Sequence, residues 1–183
     1  MKFKFALILF VALTVTVSAN ANETLTEEPD SGAYHFVSSY RIEIGAPANR
    51  VWDHLLNFGS WMIDFEMSHH HGEPKKAGQV LRLYPGQDFF VQIVGMVPNE
   101  TLVIANLPVT FRGEHSTGIG VITLNENNGE TVLNLSMSRR YTLLESSDNS
   151  MKQTRQSAGF AEGTKATWQR FMERLKSLAE NAA

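Results

Sequence analysis

The chain has 183 residues, a formal net charge of −3 and no cysteine. This length suits one ordinary domain, and the absence of cysteine excludes both a disulfide framework and lipid attachment through a cysteine. The acidic balance contains no basic run, so neither nucleic acid nor an anionic membrane surface is expected as the main partner. The fold must therefore be held together by its apolar core.

The N-terminus has the basic, apolar and small regions of a secretory signal peptide. Two lysines precede an uncharged apolar run over residues 5–17, and Ala19 and Ala21 then form an Ala-x-Ala arrangement. The run is shorter than the ~20 residues of a spanning helix, and no later segment reaches that length, so no integral membrane span is expected. We predict a signal peptide over residues 1–21, cleaved after Ala21, and a secreted or periplasmic protein, with a bacterial periplasm favoured.

The segment after the signal peptide predicts a leader followed by one folded domain. Residues 22–33 are polar, acidic and aperiodic, which is typical of disorder. The domain is expected over residues 34–181. Its first strand is predicted from Tyr34 to Ile44, where polar and apolar residues alternate. Pro47 suits the first turn of a helix over residues 47–58, and a short second helix is expected around residues 61–65.

The middle of the chain predicts six more strands, which are separated by turn-forming residues. They are Met67 to His71, Gln79 to Tyr84, Phe89 to Val97, Thr101 to Asn106, His115 to Leu124 and Thr131 to Tyr141. Because the links are short and contain no helix, neighbouring strands should be antiparallel. The segment from Leu107 to Glu114 is longer than a hairpin turn and predicts a loop that could act as a lid.

The last predicted element is a long helix from about Met151 to Ala179, where no proline occurs. Trp168, Phe171, Leu175 and Leu178 recur at three- and four-residue spacing. This stripe is typical of a helix that packs on a sheet.

Four stretches of sequence together resemble a known superfamily. After the first strand they are APANRVWDHLLNFGSWMIDF, AGQVLRL, FFVQIVGMVPNETLVIA and TWQRFMERLKSLAE. The chain over residues 34–181 is similar to SRPBCC proteins, which include START domains, the birch-pollen-allergen family and bacterial polyketide cyclases. The resemblance implies an α+β helix-grip fold. A seven-stranded antiparallel sheet would wrap around the long C-terminal helix, with two short helices after the first strand and a cavity for an apolar ligand.

Small residues indicate where such a cavity would lie. Gly118 and Gly120 share strand parity with the aliphatic residues at 122 and 124, so all four should face the final helix. The first half of that helix is also rich in small residues, and we include Phe160, Gly163 and Thr164 among the candidate ligand-binding residues. The alternative is that the glycines mark bulges or a helix kink.

Polar candidates for the cavity come from two predicted strands. Parity places His69 and His71 on the inner face, whereas Arg82 and Tyr84 could point either inward or outward. The three consecutive histidines at 69–71 lack the spacing of a metal site, so no metal and no other cofactor is predicted. The sequence contains no nucleophile elbow and no phosphate-binding glycine loop, and it assigns no catalytic residue.

These features favour binding or transport of a hydrophobic or amphipathic small molecule, such as a lipid, polyketide or isoprenoid-like compound. One alternative is a cyclase or dehydratase acting on a polyketide-like substrate in the same cavity, with His69, Arg82, Tyr84 or Glu66 as the acid or base. The second is a non-catalytic interaction module that forms a homodimer through an outer apolar sheet face, which includes Ile119 and Val121. Fold alone does not decide between them.

Overall fold

The computed structural model describes the backbone of residues 20–28, 33–111, 114–143 and 158–181, and the side chains of residues 33–108, 115–142 and 162–181. These residues form one antiparallel sheet and three helices. The sheet has the strand order β1-β2-β8-β7-β6-β5-β4-β3. The strands are β1 (Asn20–Glu28), β2 (Ala33–Ile44), β3 (Ser68–His71), β4 (Val80–Arg82), β5 (Phe90–Val97), β6 (Thr101–Phe111), β7 (Glu114–Asn127) and β8 (Glu130–Leu143). The helices are α1 (Ala48–Leu55), α2 (Phe58–Trp61) and α3 (Ala158–Asn181).

Strand β1 lies where a disordered leader was predicted over residues 22–33. It pairs antiparallel with β2, from Asn20 opposite Arg41 to Glu28 opposite Ala33. Strand pairing joins backbone groups, so the free edge of β2 can be covered by a segment without apolar periodicity. The disorder prediction was therefore wrong for residues 22–28. Most of the predicted signal peptide lies outside the described residues, and the signal peptide stays a prediction.

The two short helices follow the first predicted strand, with boundaries that differ from those predicted. The carbonyl of Pro47 accepts hydrogen bonds from the backbone N–H groups of Arg50 and Val51, and α1 ends at Leu55. Gly59, which directly follows the predicted end of the first helix at residue 58, lies inside α2. The indole Nε1 of Trp61 donates to the Leu55 carbonyl at 3.1 Å, which fixes α2 against the end of α1.

The segment from Leu107 to Glu114, predicted to be a loop and lid, is mostly strand. Strand β6 continues to Phe111 and β7 begins at Glu114 as its antiparallel partner. The pairing shifts register between Asn106 and Val109, on either side of Pro108. Proline cannot donate a ladder hydrogen bond, and an irregularity of this kind is where a sheet tolerates it.

The core lies between the concave face of the sheet and α3. Alternate residues of the central strands are buried there, as period-two strands require, and Ile122, Leu133 and Leu135 are fully buried. Helix α3 contributes Trp168, Phe171, Met172, Leu175 and Ala179. The predicted stripe is thus confirmed for its first three members, while Leu178 is only half-buried.

Polar contacts hold the C-terminal end of α3 to the end of β2. The Glu180 carboxylate accepts a hydrogen bond from the backbone N–H of Gly45 at 2.7 Å, and the Lys176 Nζ donates to the Glu43 carbonyl at 2.8 Å. Farther up the helix, Arg170 pairs with Asp64. Within the described residues, no helix has the length and apolar composition needed to cross a membrane.

Candidate functional site

A cavity of about 280 Å³ lies between the concave face of the sheet and the first half of α3. It is close to the lower end of the ~300–1,000 Å³ range of small-molecule sites. Its lining comes from α2 and the turn after it, from strands β5 to β8, from the β4–β5 connection and from α3. The lining residues are Phe58, Met62, Phe65, Leu83, Tyr84, Phe89, Val91, Ile104, Asn106, Ser116, Gly118, Ile119, Gly120, Met137, Arg139, Tyr141, Thr164 and Trp168.

The inward-facing residues of the sheet change from apolar to polar in successive rows, and members of the second, third and fourth rows form the floor of the cavity. The first row, deep in the core, is Tyr40, Leu135, Ile122 and Leu102. The next is Ser38, Met137, Gly120 and Ile104, followed by Phe36, Arg139, Gly118 and Asn106. The last contains Tyr34, Tyr141 and Ser116. A ligand in the cavity would therefore meet the apolar side chains of Ile104 and Met137 at one end and hydrogen-bonding groups at the other.

Arg139 is the one charged side chain among the described residues that line the cavity. Its guanidinium carbon lies 6.0 Å from the centre of the Trp168 ring, within the range of a cation–π contact. One of its terminal nitrogens is 3.9 Å from the sulfur of Met137. No acidic side chain within the described part of the chain forms a salt bridge with it.

Gly118 makes room for that arginine. It lies opposite Arg139 in the β7–β8 pairing, and a Cβ atom built on it would be 2.8 Å from Arg139 Cγ. A Cβ on Gly120 would be 3.1 Å from Ile104 Cγ1. Both glycines line the cavity, as the sequence interpretation expected. Each also leaves room for a neighbouring side chain, Arg139 beside Gly118 and Ile104 beside Gly120.

A second, more open space of about 430 Å³ adjoins the cavity beside α3. The two share Phe65, Arg139, Thr164 and Trp168 in their linings. Gly163 and Thr167 line only the outer space, and among the described residues nothing lies within 4 Å of a Cβ built on Gly163. Because Arg139 lines both spaces, it stands where a ligand would pass from the outer opening to the inner cavity.

Tyr84 contributes a phenol to the cavity lining. Partial burial, and to a smaller extent the negative charge of Asp64, raise the pKa of Tyr84 above its ordinary value of 10.0. Both effects disfavour the phenolate. The side chain therefore stays neutral and can donate or accept a hydrogen bond at physiological pH.

The structure brings together some of the predicted site residues. Tyr84, Gly118, Gly120 and Thr164 line the inner cavity, and Gly163 and Thr164 line the outer space. Phe160 lies in α3, but its side chain falls outside the described residues.

His69, His71 and Arg82 do not line the cavity. His69 and His71 are exposed, and the β3–β4 pairing shifts register between them, so simple alternation cannot assign their faces. Arg82 lies over the Phe90 ring at 5.3 Å, and one of its terminal nitrogens is 4.0 Å from an Asp88 oxygen. The prediction that His69 and His71 form an inward pair was wrong because the register shift between them breaks the strand alternation on which it rested. Among the described side chains, no three histidine, aspartate or glutamate residues are grouped to hold a metal ion.

Sequence reasoning missed Arg139. The available signal was parity, because Arg139 continues the odd-numbered series of Leu133, Leu135 and Met137 on β8. Its charge argued for the solvent face, where arginine is usually found.

The arrangement defines a class of fold: an antiparallel sheet gripping a C-terminal helix, with a cavity between the two. Solved structures share it. A crystal structure of CalU16 from Micromonospora echinospora has a TM-score of 0.56 at 15% identity, with 90% of this chain and 87% of that chain covered. Ara h 8.0201 has a TM-score of 0.54 at 10% identity, with 81% and 98% covered. DynU16, a putative protein of the dynemicin biosynthetic locus, has a TM-score of 0.51 at 18% identity, with 78% and 46% covered.

These similarities confirm the predicted fold. The chain has the helix-grip fold of SRPBCC proteins such as the birch-pollen-allergen and polyketide-cyclase types. The seven predicted strands correspond to β2 to β8, and β1 adds an eighth at the edge. No family model matches the sequence, and no curated protein matches it either.

Proposed function

We propose that this protein binds a hydrophobic or amphipathic small molecule in the cavity between the sheet and α3. The observation that carries the proposal is the lining, in which apolar and aromatic side chains surround a few hydrogen-bonding groups at one end. Ligand sites typically combine an apolar wall with a small number of polar groups that fix orientation. We also propose that the protein acts after export, in a periplasm or outside the cell, as its N-terminus predicts.

The described residues that line the cavity support binding better than catalysis. Their titratable groups are Tyr84, Arg139 and Tyr141. Two phenols and a guanidinium can orient a ligand through hydrogen bonds, and the described lining contains no histidine or carboxylate, which are the side chains most often used as general acids and bases. A lipid, polyketide or isoprenoid-like compound would fit this lining chemically.

Uptake of a fluorescent fatty-acid analogue tests the proposal. Wild-type protein should bind it, and Gly163→Leu should reduce uptake sharply by filling the outer opening. Because no described residue outside the helix lies within 4 Å of a Cβ at this position, and glycine is a poor helix former, this variant should be at least as stable as wild type.

Ala166→Leu is the matched control, since Ala166 is exposed on the same helix and lines neither space. It should bind the probe as wild type does. Native mass spectrometry of protein purified from its own compartment should in addition reveal a small molecule that co-purifies. Wild-type protein that neither takes up the probe nor carries a co-purifying molecule would refute the proposal.

A further inference from the structure

The charged side chain in the cavity lining indicates which chemical class of ligand the cavity would bind. Within the described residues, the lining contains one cation, Arg139, and no carboxylate. A cation withdrawn from water loses hydration, and an anionic partner restores the lost stabilisation. No acidic side chain in the described ranges supplies that partner.

The position of Arg139 also matches one end of an elongated ligand. It lies in the third of the four rows, next to the second row, whose apolar members Ile104 and Met137 line the cavity. Asn106 lies in the same row, and Ser116 and Tyr141 lie in the next. Their amide and hydroxyl groups can form hydrogen bonds with a ligand beside the arginine. Val91, Ile104 and Met137 form part of the apolar wall of the cavity.

Backbone and packing hold Arg139 toward the cavity. Gly118 opposite it leaves the space that the arginine stem occupies, since a Cβ there would approach Arg139 Cγ to 2.8 Å. The Trp168 ring lies on the guanidinium from the side of α3. A guanidinium presents a planar fork of N–H donors that matches the oxygens of a carboxylate or phosphate.

We propose that the ligand is an amphipathic anion, whose oxyanion head is bound by Arg139 and whose apolar body lies against the wall that includes Val91, Ile104 and Met137. This inference rests on the proposed binding function and specifies its ligand class. The head group is a carboxylate or a phosphate, because both offer the same paired oxygens to the guanidinium.

Binding of three matched probes tests this proposal. Decanoic acid, decyl phosphate and decan-1-ol share one apolar chain, and their affinities for the full-length mature protein can be measured by calorimetry at neutral pH. Wild-type protein should bind at least one of the two anions about 10- to 100-fold more tightly than the alcohol, the size expected for a charge-assisted hydrogen-bonded pair. The anion that binds more tightly identifies the head-group class.

Arg139→Met should remove that preference and leave the affinity for decan-1-ol within about threefold, since methionine keeps an apolar stem of similar reach. Arg139→Lys should retain part of the preference through its charge. Arg140→Met is the matched control: Arg140 is the next residue of β8, points to the opposite face and is exposed, so its loss should change neither affinity. Thermal unfolding of each variant verifies that it is folded.

The outcomes separate the two proposals. Equal affinity of wild-type protein for acid, phosphate and alcohol, unaffected by Arg139→Met, would overturn the anion inference and leave the binding function standing. A preference that survives in folded Arg139→Met would also overturn it. No binding of any of the three probes, together with no co-purifying small molecule, would overturn both proposals.

Discussion

The two halves of α3 are built from one continuous helix but meet the sheet differently. From Trp168 onward, every third or fourth residue is buried and the end of the helix is hydrogen-bonded to the backbone at the end of β2. Before Trp168, residues 162, 163, 165 and 166 are exposed, and Thr164 and Thr167 line open space. The difference shows how a small domain without disulfides can keep a cavity: one half of the helix supplies the core contacts and leaves the other half free to form a wall.

The sheet is divided in the same way. Under the second half of the helix the rows consist of large aliphatic and aromatic side chains, and under the first half they contain glycine, serine, asparagine and Arg139. Residues that line the cavity and residues of the core therefore occupy the same strands at different positions along them. Substitutions in the two regions should have opposite consequences for stability and for binding.

The largest expected effect is on the packed half of the helix. Trp168→Ala should lower the free energy of unfolding by about 3–5 kcal/mol, because a buried indole that contacts Tyr40 and Phe171 is replaced by a cavity. Urea titration measures the change. Lys165→Ala on the open half should change the same quantity by no more than about 0.5 kcal/mol. Equal effects at the two positions would show that the halves of α3 do not differ as described.

A smaller effect is expected where the cavity floor meets the core. Gly120→Val should cost about 1–3 kcal/mol, because its Cβ would be 3.1 Å from Ile104 and the added methyl groups overpack that row. It should also reduce uptake of an apolar probe. Gly163→Leu should reduce uptake of the probe without lowering the free energy of unfolding. A variant of the cavity floor should therefore lose both binding and stability, whereas a variant of the open part of α3 should lose binding alone. A Gly120→Val variant as stable as wild type would mean that the row can expand into the cavity.

Much of this contrast could be predicted from sequence, and the exceptions have physical causes. Alternation placed Gly118 and Gly120 on the same face as Ile122, and helical spacing placed Trp168 and Phe171 on the sheet. Periodicity fails where a register shift occurs, as between His69 and His71. It also carries no information on backbone pairing at a free edge, which is why β1 was taken for a disordered leader.

The site was harder to predict than the fold because its residues do not follow the hydrophobic pattern and strand alternation that identify secondary structure in a sequence. Arg139 lies on the concave face although arginine is usually solvated, and only its parity with Met137 indicated this. Tyr84 reaches the cavity from just beyond the end of β4, where strand alternation no longer applies. The signal peptide and the ligand-binding role of the individual residues stay predictions.

The smallest expected effect is on the titration of Tyr84 and appears only in alkali. Burial, and then the charge of Asp64, raise the pKa of Tyr84 in the folded protein above 10.0, so the folded state holds this proton more tightly than the unfolded state does. The corresponding stability is fully present below pH 10 and is lost as pH rises from there through the folded-state pKa. Ultraviolet titration of the phenolates should therefore show a tyrosine signal that ionises late and is absent in Tyr84→Phe. Asp64→Asn should move that signal only part of the way back, because burial is the larger cause and remains. Bound amphipathic anion should delay it further, since a second negative charge in the cavity also opposes ionisation. A phenol that titrates at its ordinary pKa with and without ligand would show that Tyr84 faces water and not the cavity.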